Sequence, residues 1–359
     1  MNITKLSCRH FRNIEQIELS DLEERNVIFG ENAQGKTNLL ESIWLFTGAK
    51  SFRGAKDADF IRFGESGAVN QIWYRSGGTE HEAVMKIQDH REVILDGVKQ
   101  KSPALLAGKF TAIVFSPADL SLIKDGPAIR RRFLDIAVSQ LSPSYIGVLR
   151  EYVRAVTQRN RVIKDFKYDG SLVVMLDVFE QEIAEKGEKL IRYRRKYVEA
   201  LKEFLPAVYS GISSGKENLE IEYSCSCEAD ALLEKLKETR KDDMMTGITS
   251  VGPHRDELDF QINGISARIY GSQGQKRSAA LAVKLSEAEV IKKVTGESPV
   301  FLLDDVMSEL DPARQNYVLN HIEGMQSFIT CCDPSDTAGL KKGKLIPIKN
   351  GSVSEWSSI

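Results

Sequence analysis

The sequence is poor in the features that would tie it to a membrane, a disulfide scaffold or a bulk nucleic-acid binder. Five cysteines are spread through 359 residues as Cys8, Cys225, Cys227, Cys331 and Cys332. That is an odd number at C-x-C and C-C spacings, which excludes a disulfide framework and fits no zinc-ligand spacing. Reduced thiols and a cytoplasmic location are the expectation. No apolar run approaches the roughly 18 residues of a membrane helix, and Lys5, Arg9, His10 and Arg12 interrupt any hydrophobic stretch at the start. A soluble chain without a membrane partner is therefore expected. Charge of one sign is lacking too: 49 Lys and Arg stand against 51 Asp and Glu, a net of -2. Any nucleic-acid surface must then be local rather than global. There is no internal repeat, low-complexity tract or sustained heptad pattern. What remains, 42% hydrophobic and 28% charged, is enough to bury a substantial core.

The hydrophobic periodicity changes twice along the chain. The first third alternates like strands at 14–19, 69–75, 82–88 and 92–96, with a turn at Asp96-Gly97 and a buried run at 110–115. From about 117 to 240 the spacing is helical, with long charged stretches at 144–168 and 172–205. Strand signals return at 219–223, 246–250 and 257–269, where Asn263-Gly264 supplies a turn. A helix at 275–293, the apolar run 300–303, a helix at 312–325 and a strand at 327–331 complete an alternating end. The predicted fold class is α/β: one domain built from both chain ends, 1–117 and 245–359, with a mainly helical lobe at 118–244 inserted between them.

Gly30-Glu31-Asn32-Ala33-Gln34-Gly35-Lys36-Thr37 matches the phosphate-loop pattern G-x-x-x-x-G-K-S/T. It lies between an apolar strand at 27–29 and a helix at 37–46, the context that pattern requires. Glycines let the backbone N–H groups turn toward phosphate oxygens, and the helix N-terminus adds its dipole. Lys36 would neutralise the β and γ phosphates of ATP, Thr37 would offer its hydroxyl to Mg²⁺, and Asn38 opens the helix beside them. The run at 300–303 ends in Asp304 and Asp305, at the sheet edge where α/β folds place ligands. Asp304 is the expected second Mg²⁺ contact, and Asp305 the group that orients or deprotonates the attacking water. Ser272-Gln273-Gly274-Gln275 opens a further helix shortly before this strand, a weak anion-binding signal alone.

Taken in order, these elements resemble the SMC-like branch of the ATP-binding-cassette superfamily, and within it the RecF family of bacterial DNA replication and repair proteins. The likeness rests on Phe11-Arg12-Asn13, the stretch 30–41, Ser51-Phe52-Arg53, Phe115-Ser116-Pro117 with Asp119-Leu120, and Gly126-Pro127 with Arg130-Arg131 and Phe133-Leu134-Asp135. It continues through Gly252-Pro253-His254-Arg255-Asp256, the stretch 272–276 and the stretch 303–311. The resemblance implies an ABC-type ATPase head, a P-loop NTPase, whose two copies close head to tail on ATP. Ser272, Gly274 and Gln275 of one subunit would then meet the γ phosphate held by Lys36 and Thr37 of the other. It further implies binding to duplex and gapped DNA, with single-stranded DNA as a further candidate, and work with RecO and RecR in loading RecA during gap repair, fork recovery and SOS induction. ATP hydrolysis, weak and stimulated by DNA, would release the dimer.

Two departures qualify the likeness. Asp305 stands where many relatives carry a glutamate, one methylene longer, so weak, slow ATPase activity is expected. The strand at 327–332 has no histidine, and Thr330, Cys331 or Cys332 occupies that region. A glutamine-loop equivalent is expected near Ser116. For DNA, the run Lys186, Lys189, Arg192, Arg194, Arg195 and Lys196, and the basic residues of 150–167, offer phosphate-binding faces. Charge runs of this kind are also common as solvated helix surfaces. A transporter subunit and a nucleotide-dependent adaptor that needs no turnover remain the other readings.

Overall fold

The computed structural model describes residues 1–165, 173–333, 342–353 and 357–358. The chain divides into two compact units. The first comprises Met1–Leu120, Ala207–Glu217 and Arg277–Ile359; the second comprises Ser121–Pro206 and Asn218–Lys276.

The first unit carries two sheets. Its six-stranded sheet is antiparallel throughout, in the order Ile14–Leu19, Asn2–Phe11, Ala68–Ser76, Thr79–Ile87, Arg91–Leu95, Val98–Lys99. Period-two alternation buries Ile17 and Leu19 on one face, and Ile14 is buried where the strand begins, as expected of a half-buried sheet. At the Asp96-Gly97 turn both residues have positive φ, 48° and 75°, the geometry of a two-residue hairpin loop that matches strand twist.

The second sheet supplies the site. Lys344–Lys349, Arg25–Phe29, Ser327–Cys331, Val300–Leu303 and Ala112–Phe115 lie side by side and all parallel. Short antiparallel pieces, Ser352–Val353 and Ser357–Ser358, border Lys344–Lys349. Ser327–Cys331, Val300–Leu303 and Ala112–Phe115 are buried at every position, which explains why they read as continuous apolar runs rather than alternating ones. Because Arg25–Phe29, Ser327–Cys331 and Val300–Leu303 are neighbours running the same way, the residues after their carboxyl ends converge on one edge.

The second unit is mainly helical, with Pro127–Leu141, Pro143–Asp165, the long helix Val173–Ile212 as far as Pro206, and the short Leu232–Glu238 and Arg240–Thr246. A three-stranded sheet, Ile265–Ser266, Glu257–Ile262, Leu219–Ser224, completes it. Inside this unit the fully buried Arg159 meets Glu180 at 2.9 Å and Asp243 at 2.7 Å. Beside it an apolar cluster forms around Val162, Ile163 and Leu176.

Three expectations differ from this layout. Ala207–Glu217, expected in the helical lobe at 118–244, group with the chain ends. Residues 245–276 group with the inner unit, not with the chain's other end, because Glu257–Ile262 pairs with Leu219–Ser224. No strand forms at 246–250: helix Arg240–Thr246 stops at Gly247, whose φ is 78°. The Thr249 N–H is then taken by Asn160 Oδ1 at 2.7 Å, leaving no ladder donor at that residue.

Candidate functional site

The loop after Arg25–Phe29 is shaped by backbone that only particular residues tolerate. Gly30 has φ 153°, and a Cβ there would lie 2.3 Å from the Ile348 carbonyl oxygen. Gly35 has φ 115°, and its Cβ would meet Asn13 Oδ1 at 2.9 Å. Asn13 ties the loop to the first sheet by donating Nδ2–H to the Ala33 carbonyl at 3.0 Å while accepting from Asn38 Nδ2 at 2.7 Å. Gln34 is fixed from the other side by the N–H groups of Asn350 and Gly351. The helix Lys36–Trp44 begins at Gly35 with no side-chain cap, so its first-turn N–H groups face outward as anion donors. Lys36 is 4% exposed, and its ammonium donates to the carbonyls of Gly30 at 2.7 Å and Glu31 at 3.1 Å. The cation is thus folded back along the loop it would share with a phosphate.

Across the edge, Asp304 is 6% exposed. Its Oδ1 accepts from Thr37 Oγ1 at 2.8 Å and Thr330 Oγ1 at 3.0 Å. Burial pushes this carboxyl above the ordinary range, the two hydroxyls pull it back, and neighbouring Asp305 adds a further upward push. Thr330 Oγ1 also accepts the Asp305 N–H at 2.9 Å, so one threonine joins both carboxylate residues. Asp305 itself has φ 52°, a left-handed conformation that costs a non-glycine residue of order 1–3 kcal/mol and clusters at functional sites.

Thr37 and Asp304 present oxygen donors only, the preference of a hard cation. Mg²⁺ keeps several waters and takes substrate phosphate oxygens, needing one or two protein carboxylates. The three residues standing where the histidine is lacking have different surroundings. Thr330 bonds the Asp304 carboxylate and the Asp305 backbone N–H, Cys331 is buried in the sheet, and Cys332 Sγ lies 3.8 Å from Lys36 Nζ and 3.3 Å from Asn32 Oδ1. Ser116 uses its N–H and hydroxyl on Asp119 Oδ2, at 2.8 and 3.0 Å.

Sequence reasoning gave no role to a brace beneath the loop. Arg12 Nε donates to the fully buried Glu41 at 2.6 Å, and Glu41 accepts a short hydrogen bond from Ser51. Ser51 Oγ accepts the Arg53 N–H at 3.1 Å, and Arg53 donates to Asn38 Oδ1 at 3.0 Å. Polar residues at scattered positions have no periodicity, so only the folded loop brings them together. Arg277 likewise reaches Glu309, to its carbonyl at 2.9 Å and its carboxylate at 3.0 Å.

Ser272 belongs to the second unit. Its N–H donates to Gln275 Oε1 at 2.8 Å and its Oγ accepts the Gln275 N–H at 3.2 Å, a reciprocal capping box. Gly274 is exposed, with open space where a Cβ would stand.

The basic run requires correction. Arg194 is 2% exposed and cannot face DNA: it donates to Tyr145 Oη at 2.9 Å, the Pro253 carbonyl at 2.6 Å and Asp135 at 2.7 Å. Charge counting missed this because a buried arginine and a solvated one look alike in a string. Lys186 pairs with Glu151 and Glu185, Lys189 with Glu185, Arg192 with Glu188 and Arg195 with Glu228. Lys196, Arg150 and Arg154 are exposed and without an ion pair among the described residues. Arg159 is buried, and Lys167 lies outside the described residues. His254 hydrogen-bonds Tyr152 Oη at 2.6 Å and the Thr249 carbonyl at 3.0 Å; burial takes its pKa down to about 4. Arg255 donates to the same carbonyl, so both side chains brace a turn.

A profile of the RecF/RecN/SMC N terminal domain family matches residues 2–343. The chain is 40% identical over 333 residues to the DNA replication and repair protein RecF of Lachnoclostridium phytofermentans, covering 92% of each chain. It is 37% identical to the RecF of Bacillus mycoides, covering 98% of each. Among solved structures it is similar to a recombination mediator protein RecF of the RecFOR pathway in its ATPrS form, with a TM-score of 0.91, 36% identity, and 98% and 97% of the two chains covered. The Smc head domain of Pyrococcus furiosus shares the fold at a TM-score of 0.56 and 16% identity, with 99% of this chain and 96% of that one covered.

Proposed function

This chain belongs to the RecF family of DNA replication and repair proteins, and from that premise we propose that it is an ATP-gated DNA clamp of recombinational gap repair. Lys36 and the N–H groups of 30–37 bind the ATP phosphates. Thr37 and Asp304 hold Mg²⁺, which when bound neutralises charge on the phosphate oxygens. Asp305 orients the attacking water. Ser272, Gly274 and Gln275 of a second copy reach the same nucleotide, so ATP joins two copies head to tail on duplex DNA near a single-strand junction. Hydrolysis separates them, slowly, because the aspartate reaches less far toward water than a glutamate. RecO and RecR are the partners with which it helps load RecA, in gap repair, fork recovery and SOS induction.

The observation that best supports this reading is the hydroxyl–carboxylate chain Thr37–Asp304–Thr330–Asp305 beside the uncapped helix start. It supports the reading by setting Asp304 and the backbone of Asp305 beside the loop that would hold the phosphates, the parts that one phosphoryl transfer needs. The test is anisotropy of a fluorescent gapped duplex titrated without nucleotide, with ATP and with ADP, at two salt concentrations. Binding that tightens only with ATP is expected, and Lys36→Ala is expected to lose that response. Equal binding by Lys36→Ala and wild type in ATP would refute the gating.

A further inference from the structure

The three-stranded sheet of the second unit ends in an open edge. Leu219–Ser224 pairs with Glu257–Ile262 on one side only, and among the described residues no strand lies on the other. The Asn263 N–H donates to the Asn218 carbonyl at 3.0 Å, which sets the phase of the ladder. Two residues on, Glu220 faces Gln261 and Glu222 faces Asp259 as hydrogen-bonded pairs. The N–H and C=O groups of Leu219, Ile221 and Tyr223 therefore point out of the open edge. Alongside it runs a groove of about 400 Å³, lined by Leu219–Glu222, Gln261 and the helix residues Lys202, Leu205 and Pro206.

The two faces of this edge differ in chemistry. Leu219 and Ile221 are buried on the side of Leu205 and Pro206, whereas Glu220 and Glu222 are exposed. Glu222 stands directly opposite another exposed acid, Asp259. Like charges placed this way destabilise a sheet. Asp259 is pushed above the ordinary carboxylate range by burial and then by Glu257, with Glu222 adding to it. Arg130 and Arg268 pull Asp259 back in part, while Lys202, on the groove beside Glu220 and Glu222, is paired with Glu199 at 2.8 Å.

We propose that this edge receives an extended segment of a partner protein as a fourth, antiparallel strand, one in which basic and aliphatic residues alternate. Aliphatic side chains opposite Leu219 and Ile221 enter the groove over Leu205 and Pro206. The intervening Lys or Arg side chains come beside Glu220 and Glu222 and offset the repulsion with Asp259. Main-chain bonds hold the segment, and the alternation selects it, as in other strand additions. Since an antiparallel strand exchanges bonds through the residues directly opposite Ile221, the N–H groups used on the partner belong to its aliphatic residues.

The test uses the full chain and a fluorescein-labelled ten-residue peptide of alternating Lys and Val, read by anisotropy. Saturable binding is expected, weakened at least tenfold in Glu220→Lys/Glu222→Lys, whose exposed sites leave the fold intact by circular dichroism. The same peptide N-methylated at its Val nitrogens is expected to lose binding, and the one methylated at its Lys nitrogens to keep it. The proposal is overturned if the Val-methylated peptide binds as well as the plain one, since charge alone would then be responsible. It is also overturned if the double variant binds like wild type, or if sedimentation shows that this edge pairs two copies of the chain.

Discussion

Thr330 is the residue whose removal most directly tests how the site is built. Thr330→Val keeps the branched shape that suits a buried strand but replaces the hydroxyl with a methyl. Two bonds go at once: the donor to Asp304 Oδ1 at 3.0 Å and the acceptor of the Asp305 N–H at 2.9 Å. A hydrogen bond to a charged acceptor contributes about 1.5–3 kcal/mol, and stranding the half-buried Asp305 N–H costs toward the lower end of about 1–3 kcal/mol. Relief from burying the hydroxyl offsets part of this, so the expected loss of stability is about 2–4 kcal/mol, measured as the urea unfolding midpoint in Mg²⁺-free buffer. A second readout follows from charge. Since the hydroxyl helps hold down a carboxyl that burial has raised, its loss raises that carboxyl further. The acid limb of Mg²⁺-ATP turnover should move to higher pH in Thr330→Val. Thr330→Ser, which keeps the oxygen, should restore both the limb and most of the stability. A Thr330→Val protein within about 0.5 kcal/mol of wild type, with an unmoved acid limb, would refute the argument that Thr330 supports the carboxylates.

Other perturbations separate roles that the sequence merges. Arg194→Ala leaves Asp135 and the Pro253 carbonyl without their cation, so it should cost about 3–5 kcal/mol in unfolding assays while the salt dependence of DNA binding stays unchanged; Arg150→Glu/Arg154→Glu should do the reverse. Asp305→Asn should retain nucleotide binding by a fluorescent ATP analogue but lower turnover by about 10²–10⁴-fold, and unchanged turnover would remove Asp305 from the chemistry. His254, held neutral with a pKa of about 4 against an ordinary 6.5, makes a stabilising contribution that is complete above pH 6.5. That contribution is lost as pH falls from 6.5 toward 4, because the unfolded chain takes up the proton first. The loss over that window is about 3 kcal/mol, and His254→Asn should flatten it in urea titrations at pH 7 and pH 5.

Much of the site was legible because its signals are local. A glycine-bearing loop between a strand and a helix, and an apolar strand ending in two aspartates, each lie within a dozen residues of sequence. Their chemistry follows from side-chain type. Thr330, Cys331 and Cys332 could be placed only where a histidine was lacking; that Thr330 meets Asp304 depends on the parallel register of Ser327–Cys331 against Val300–Leu303, which no local pattern shows. The Arg12–Glu41–Ser51 brace had its members among the motifs that carry the resemblance, but not their contact: they come from a strand end, a helix and a loop, and no spacing rule links them. The false strand at 246–250 came from β-branched residues whose local preference lost to Gly247 and to a side-chain acceptor contributed by Asn160 from a separate helix.

The basic helices show where charge counting fails and what replaces it. Lys189–Glu185 and Arg192–Glu188 are pairs four residues apart and could be read from spacing, each contributing a few tenths of a kcal/mol. Arg195–Glu228 and Lys186–Glu151 cross between elements and could not. A paired surface lysine can still exchange its carboxylate for a DNA phosphate at small cost, since exposed pairs contribute only about 0–1 kcal/mol. Arg194 cannot, because it is itself buried and removing it would leave the Pro253 carbonyl without its donor and Asp135 without its cation. Availability to DNA is therefore graded by burial rather than by charge. Lys196, Arg150 and Arg154 stand at the free end of that scale, the four paired residues in the middle, and Arg194 and Arg159 outside it.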